Sequence, residues 1–375
     1  MSGGVDSSVA AALLHAQDYE VIGVTMQLWG KDVCVTAGSR LCCSVRDSLD
    51  AKTVAKRLGI EHETLELVEE FQSRVIEYFT ESYREGLTPN PCIACNTHIK
   101  FGKLFDRADE LGARLVATGH YARIAADAAT GRASLRRAAD HAKDQSYVLF
   151  DLAQAQLSRA MFPLGELSKD EVRATARELG LATADKPDSQ DICFVRDGNK
   201  TGFLAKQLGS AGQPGPITDT AGRLLGRHQG LYGFTVGQRE GIGLAVGRAL
   251  YVVAIDRAQN RLVVGGKDEL LGRSLVAERV NWVSIEPPAQ ALRAYAKIRS
   301  RHEPAAAFLI PGEGGAVRVE FDEPQPAITP GQAVVFYDGD LLLGGGWIRG
   351  ARLNGQPAGA RSVPAAAAAS YGAAA

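Results

Sequence analysis

Cysteine is scarce in this chain, with six residues in 375, and methionine and tryptophan are scarcer at three each. So few cysteines do not make a disulfide scaffold, which fits a reducing compartment such as the cytoplasm. Neither sign of charge is in excess: 42 Lys and Arg stand against 43 Asp and Glu, a formal net charge of −1. That sum gives no general attraction for nucleic acid, yet leaves room for a local basic surface, because a field depends on arrangement. No apolar run approaches the roughly eighteen residues of a membrane span, so no membrane partner is expected. The opening MSGGVDSSVAAALLHAQDYE lacks the basic leader of a signal peptide. What the chain does have is a 45% hydrophobic fraction and length for two or three cored domains.

Residues 1–196 alternate strand-like and helix-like runs. Helices are expected at Val5–His15, Ser48–Leu58 (stopped by Gly59), Phe71–Glu85, Lys103–Leu111 and Lys169–Leu179. Strands are expected at Tyr19–Trp29, His62–Val68 and Arg114–Thr118. The alternation implies an α/β fold, a mostly parallel sheet covered by helices. Gly and Pro then thicken, marking a small Gly-rich central domain over 197–271 with a hairpin at Tyr251–Ile255 and Arg261–Gly265. Short alternating runs broken by PG, EGG and DGD turns give a C-terminal β-barrel over 272–353. The Ala-rich end, 354–375, reads as a disordered tail.

Two features carry chemistry. The string Ser2-Gly3-Gly4-Val5-Asp6-Ser7-Ser8 opens the first helix, where small residues let the backbone wrap a phosphate and free N–H groups point at it. It is neither a Walker loop nor a dinucleotide fingerprint, and a purely structural turn is its bland alternative. Cys92 and Cys95 form a C-x-x-C behind two prolines, and Cys193 lies far downstream between Ile192 and Phe194. The pair alone allows zinc, redox or iron–sulfur chemistry, and Cys193 alone reads as a buried small hydrophobe. A structural zinc wants four protein ligands, the fourth here having to be His or Asp, so no resident metal is expected. Cys34, Cys42 and Cys43 read as structural.

The SGGVDSS string resembles the pyrophosphatase loop of N-type ATP pyrophosphatases, whose fold is that of the adenine-nucleotide alpha-hydrolases. The fuller resemblance is to the tRNA-specific 2-thiouridylases. It rests on SGGVDSSVAA (2–11), GVTM (23–26), LCCSVRDSLDAKTVAKRLGI (41–60), TPNPCIACNTHIKF (88–101), ATGHYAR (117–123) and KDQSYVLF (143–150). FPLGELSK (162–169), DSQDICFV (188–195) and GLYGFTVGQREGIG (230–243) complete it, so that it covers almost all of 1–350.

The resemblance implies adenylation of the C2 oxygen of the wobble uridine by ATP, with Mg2+ accompanying the nucleotide, and release of pyrophosphate and AMP. It implies that Ser2 to Ser8, Met26 and Gly119 hold ATP. Cys95 would be the nucleophile and Cys193 the persulfide carrier, leaving a transient Cys95–Cys193 disulfide. A cysteine desulfurase or sulfur-relay protein would then be the donor, and a cellular reductant would be needed. Asn90, Pro91, Cys92, His120, Lys143, Asp144, Gln145, Arg299, Ser300 and Gln332 would meet tRNA. Cys92 stands where some members have Asp, which raises Cys92, Cys95 and Cys193 as a ligand set for a [4Fe–4S] cluster; the persulfide route is preferred. Ser300 replaces a commonly aromatic residue and weakens stacking there.

Basic residues extend the expected RNA surface: Arg132, Arg136 and Arg137, a stripe of Lys297, Arg299 and Arg301 on one strand face, and Arg227, His228 and Arg239 beside a Gly-rich hairpin. The competing functions are another adenylating ligase, which leaves the cysteines unexplained, an iron–sulfur tRNA thiolase, and a nonenzymatic RNA-binding homologue. Because a pyrophosphatase loop follows a buried strand, a first strand is expected ahead of Met1.

Overall fold

The computed structural model describes residues 1–30, 45–127, 130–188, 192–195, 198–209 and 212–353. Cys34, Cys42, Cys43 and the Ala-rich end, for which expectations were set out above, lie outside the described residues, as do Ser189, Gln190 and Asp191 of the DSQDICFV string.

Helix α1 is Val5–Ala16, with Val5, Val9 and Ala10 buried on one face as a 3.6-residue period requires. Strand β1 (Ile22–Gln27) is shorter than its apolar run suggested, because Tyr19 and Glu20 are exposed. After α2 (Val45–Leu58), β2 (Glu61–Glu66) pairs with β1 in parallel, from Ile22 opposite Glu61 to Gln27 opposite Glu66. Helices α3 (68–84) and α4 (91–110) are longer than their patterns indicated, and each contains a π-helical stretch, Gln72–Ile76 and Cys95–Lys103. A π turn takes extra residues and rotates later apolar positions out of register, which hides the helix's continuity in the sequence.

Strand β3 (Val116–Ala117) leads to the hairpin of β4 (Ala122–Ala126) and β5 (Ala133–Arg137), and β6 (Ala160–Met161) then pairs with β3 in parallel. The strands are thus parallel, but among the described residues they form two separate pairs rather than one continuous sheet. The backbone of Met1 runs beside β1, donating to the Val24 carbonyl and accepting from Thr25 Oγ1 at 2.8 Å. Helix α5 (Lys169–Glu178) packs Val172 and Ala176 against Val5, Val9 and Ala10 of α1.

The central region contributes α6 (Lys200–Leu208) and a four-stranded sheet of β7 (Gly215–Asp219), β8 (Leu224–His228), β9 (Tyr251–Asp256) and β10 (Arg261–Gly265). The hairpin of β9 and β10 forms as expected, and β10 also lies parallel to β7. The expected Gly-rich hairpin does not: residues 229–250 hold no strand, only a 3-10 turn at Leu231–Gly233 among bends and irregular backbone, and His228, 2% exposed, bonds the Asn260 carbonyl instead of facing outward. Arg227 and Arg239 are exposed.

The barrel comprises β11 (Leu271–Trp282), β12 (Leu292–Lys297), β13 (Ala305–Pro311), β14 (Val317–Pro326), β15 (Ala333–Asp338) and β16 (Leu341–Leu353). Their order is β11-β14-β13-β12-β15-β16, and β11 also pairs with β16, closing six strands around Leu275, Leu309, Val319 and Phe336. The proposed Lys297–Arg299–Arg301 stripe is not formed. The strand ends at Lys297, which is 7% exposed, and Arg299 enters a turn whose carbonyl accepts from His302.

The hairpin of β4 and β5 belongs to the barrel sheet, since β5 pairs with β16 at Arg136–Leu341 and Leu135–Leu342. One apolar cluster therefore spans both regions, joining Ile93 and Phe101 of α4, Leu135, Phe150, Val335 and Tyr337. Arg132 is spent on this junction, donating to the carbonyls of Trp282, Val283 and Ile285 and pairing with Glu286. It is not part of an open approach path for RNA; Arg136 is exposed. Leu135→Ala should lower stability by about 2–5 kcal/mol, as for deletion of a fully buried side chain, whereas exposed Leu224→Ala should change it by less than about 0.5 kcal/mol. Denaturant unfolding followed by tryptophan fluorescence compares the two; equal effects would count against this junction.

Candidate active site

The loop before α1 is drawn tight by its own hydroxyls. Ser7 Oγ accepts from the Ser2 amide at 3.0 Å, and Ser8 Oγ donates to the Gly4 carbonyl at 2.8 Å. Gly3 has φ +69°, and a Cβ there would lie 2.2 Å from the Asp47 carbonyl oxygen, so only glycine lets the loop meet the start of α2. Gly119, just after β3, is similarly constrained: a Cβ would sit 2.8 Å from the Ser7 amide nitrogen. The β3 end and the loop are thus in backbone contact.

Cations surround this loop, and of them the motif reading gives a role only to Lys143. Lys169 Nζ lies 2.7 and 2.9 Å from the two Asp6 carboxylate oxygens and 2.8 Å from Asp188. Lys143 and Arg173 also pair with Asp188, at 2.8 and 3.3 Å. Burial alone would raise the Asp188 carboxyl, but the bonds from Lys143 and Lys169 outweigh it and hold it at about 2. On the other side, Lys186 donates to the Gly3 carbonyl at 2.8 Å and to Asp50 at 2.8 Å, and also pairs with Asp47. Tyr121 donates its hydroxyl to Asp6 at 2.7 Å. One sequence signal could have pointed to Lys169: it opens α5 inside the capping box of Ser168 and Glu171, and a cation at a helix's positive end is misplaced unless an anion answers it.

The three cysteines do not share one environment. Cys95 and Cys193 are half-buried against the same apolar cluster, built on Phe71, Phe79, Ile99 and Phe194, and Met26 of β1 packs on it too. Phe194 anchors the Cys193 segment, 4% exposed and edge-on to Phe79 at 5.0 Å and Phe71 at 6.0 Å. Cys92 is exposed on the first turn of α4, where the Asn90 side chain caps its amide at 3.1 Å. Among the described residues no three or more His, Cys, Asp or Glu side chains converge to hold a metal ion.

Comparison with known proteins covers most of the described chain. Residues 1–197 match the tRNA methyl transferase HUP domain, 201–266 the tRNA methyl transferase PRC-barrel domain, and 272–348 the aminomethyltransferase beta-barrel domain. The tRNA-specific 2-thiouridylase MnmA of Heliobacterium modesticaldum is 51% identical over 350 residues, covering 93% of this chain and 91% of that protein. That of Solibacter usitatus is 49% identical over 361 residues, covering 93% and 97%. The chain belongs to the tRNA-specific 2-thiouridylase family. Among solved structures, the U34-tRNA thiolase NcsA of Methanococcus maripaludis with its [4Fe–4S] cluster is 20% identical, covering 51% of this chain and 58% of that one at a TM-score of 0.33, too slight a likeness to carry an argument.

The positions that the thiouridylase resemblance assigns to tRNA fall into two groups. Cys92 and Ser300 are exposed, and the Lys143 side chain is 37% exposed beside Asp188. The others face inward. Asp144 has a side chain only 1% exposed and accepts from Arg137, the Ala138 and Ser146 amides and Ser146 Oγ. Arg137 is therefore also committed within the fold. Gln145 accepts from the Tyr121 amide, Arg299 donates to the Pro326 carbonyl, and Gln332 donates to the Thr88 and Pro89 carbonyls at 2.8 and 3.2 Å. Gln332 thereby fixes the segment that carries Asn90 and Pro91.

His120, 6% exposed, is bonded to Thr118 Oγ1 at 2.6 Å and packs between Phe101 and Phe162. Burial and then Lys100 hold its imidazole well below the ordinary value. His62, His98, His228 and His302 are lowered too, chiefly by burial. The unfolded chain binds protons that the fold excludes, so this stability is present above about pH 6.5 and is lost as pH falls below it. The thermal midpoint should fall between pH 7 and pH 5, and His120→Asn should flatten the profile by up to about 1.4 kcal/mol per pH unit. An unchanged slope in His120→Asn would rule out a neutral, buried His120.

Proposed function

We propose that the chain thiolates C2 of the wobble uridine of tRNA, using ATP to activate the oxygen and a cysteine persulfide to deliver sulfur. The observation that carries this reading is the placement of Cys95 and Cys193, distant in sequence, on one apolar cluster with Met26. The loop from Ser2 to Ser8, closed from the β3 side by Gly119, supplies hydroxyls and helix N–H groups for the phosphates, and Lys169 and Lys186 supply positive charge. Mg2+ arrives with the nucleotide.

The uracil O2 attacks the α-phosphorus, an O–P bond forms, and pyrophosphate leaves with the electron pair of the broken P–O bond. The terminal sulfur of the Cys193 persulfide then attacks C2, and AMP departs with the former O2. The Cys95 thiolate attacks Cys193 Sγ. The S–S bond to the transferred sulfur breaks, its electron pair forms C2=S, and a Cys95–Cys193 disulfide remains. A thiol reductant returns two electrons, and a persulfide-bearing carrier protein reloads Cys193. The half-exposure of both thiols suits such exchange. The target nucleotide has to leave the anticodon stack to enter.

Sulfur transfer to unmodified wobble-uridine tRNA, with ATP, Mg2+ and a persulfide donor, tests the assignment. Cys95→Ser and Cys193→Ser should each reduce 2-thiouridine to background while still releasing pyrophosphate, and Cys92→Asp should remain active. Full product from either serine variant would overturn the two-cysteine mechanism, and loss of activity in Cys92→Asp would favour an iron–sulfur route.

A further inference from the structure

Lys169 is fully committed. An ammonium has three N–H donors, and the structure gives it three carboxylate oxygens: both of Asp6, inside the loop, and Oδ1 of Asp188. Its side chain is 10% exposed, so little water is available as a substitute partner. A polyphosphate entering the loop beside Asp6 can be served by Lys169 only if one of these bonds is surrendered. The bond to Asp188 is the easier to give up, because Asp188 keeps Lys143 and Arg173. Asp188 stands five positions ahead of Cys193 in the same chain segment. The single carboxylate therefore links the phosphate loop to the Lys143 turn, and Cys193 follows it five positions along the sequence.

We propose that Asp188 is a positioning residue that reports occupancy of the phosphate loop to Cys193, through exchange of Lys169 from its carboxylate to the nucleotide's phosphates. The proposal rests on the reading of the loop as the ATP site. It orders the reaction: before nucleotide binds, Asp188 is held by three cations and fixes the start of the Cys193 segment. After binding, two cations hold it, and Cys193 takes up a different environment. No bond is made or broken in this step beyond ion pairs and hydrogen bonds.

The test uses the full chain without tRNA, with Mg2+ and the α,β-methylene analogue of ATP, which cannot be cleaved at the bond in question. Alkylation of Cys193 by iodoacetamide is followed by peptide mass spectrometry, with exposed Cys92 as internal control, and analogue binding is measured separately by equilibrium dialysis. In the unaltered protein the analogue should change the Cys193 rate by about fivefold or more, the lower range of a coupling between two sites, and leave Cys92 unchanged. Asp188→Asn should show the analogue-bound rate already without nucleotide, and Asp188→Glu should restore the response.

An Asp188→Asn protein that binds the analogue and keeps the full response would overturn the proposal, as would an unaltered protein that binds it with no change at Cys193. Absence of analogue binding by the unaltered protein would instead remove the ATP-site reading, and the proposal with it. Lys143→Gln, which takes one cation from Asp188 and leaves the carboxylate, provides a second variant should Asp188→Asn not fold. It should shift the nucleotide-free rate toward the bound value, and an unshifted rate counts against the proposal.

Discussion

The pairing of β5 with β16 is the constraint on which the arrangement of the site depends. It carries a hairpin from the α/β region into the barrel sheet, and Arg137 extends it by donating its amide to the Asp340 carbonyl at 2.9 Å. Once that register is set, Tyr147 reaches the Ala333 carbonyl at 2.9 Å and Ser146 meets the Tyr337 hydroxyl at 3.0 Å, both in the interior. The turn that leads into β15 then arrives against the TPNP segment, where Thr88 donates to the Pro330 carbonyl and Gln332 donates back. The barrel is thus a wall of the site. The backbone just before Cys92 takes its partners from residues over two hundred positions away.

A near-zero net charge conceals how the charges are used. Around the loop, Lys143, Lys169, Arg173 and Lys186 are matched by Asp6, Asp47, Asp50 and Asp188. Pairs of this kind at half-buried positions contribute modestly to stability, since desolvation offsets much of the attraction. On the proposed reading they hold cations at fixed places where phosphate charge can replace carboxylate charge. The same balance explains why composition was silent about polyanion binding. Cations paired internally cancel in the sum and still form a local field once a stronger anion arrives.

Legibility in the sequence followed the range of the interactions involved. α1, α2 and α5 were readable because their buried faces and caps lie within one helix. The barrel strands were readable from alternation and turn chemistry. The hairpin of β4 and β5 was missed because its partner strand is β16, and nothing local distinguishes such a run from a loop. The basic stripe at Lys297 to Arg301 failed for the opposite reason: a local alternation was extended past the point where β12 ends and a turn begins. At the site, the Ser/Gly loop and the cysteines were visible through their residue types. Lys186 and Asp188 were not singled out, because a lysine or aspartate acquires its role from what folding places beside it. His120 and Asp144 were visible as motif members, but their burial was not.

The π-helical stretch at Cys95–Lys103 shows how one helix serves several surfaces at once. Successive residues of an α-helix are turned by about 100°, so an added residue redirects everything after it. Before and within this stretch, Ile93 faces the junction cluster while Cys95 and Ile99 face the cluster of Phe71 and Phe194. Asn96 donates to the Val148 carbonyl at 3.0 Å and Thr97 to Asp151 at 3.2 Å, tying the helix to the turn after the Lys143 triplet. Lys100 approaches His120, and Phe101 returns to the junction cluster. A regular helix of the same sequence would rotate Phe101 and Phe105 away from that cluster if Cys95 kept its place, or rotate Cys95 away from Phe194 if they kept theirs. Irregular backbone of this kind costs stability and persists where two requirements on one helix disagree. Here the two requirements are a seated thiol and a packed junction, and the π stretch that reconciles them begins at Cys95 itself.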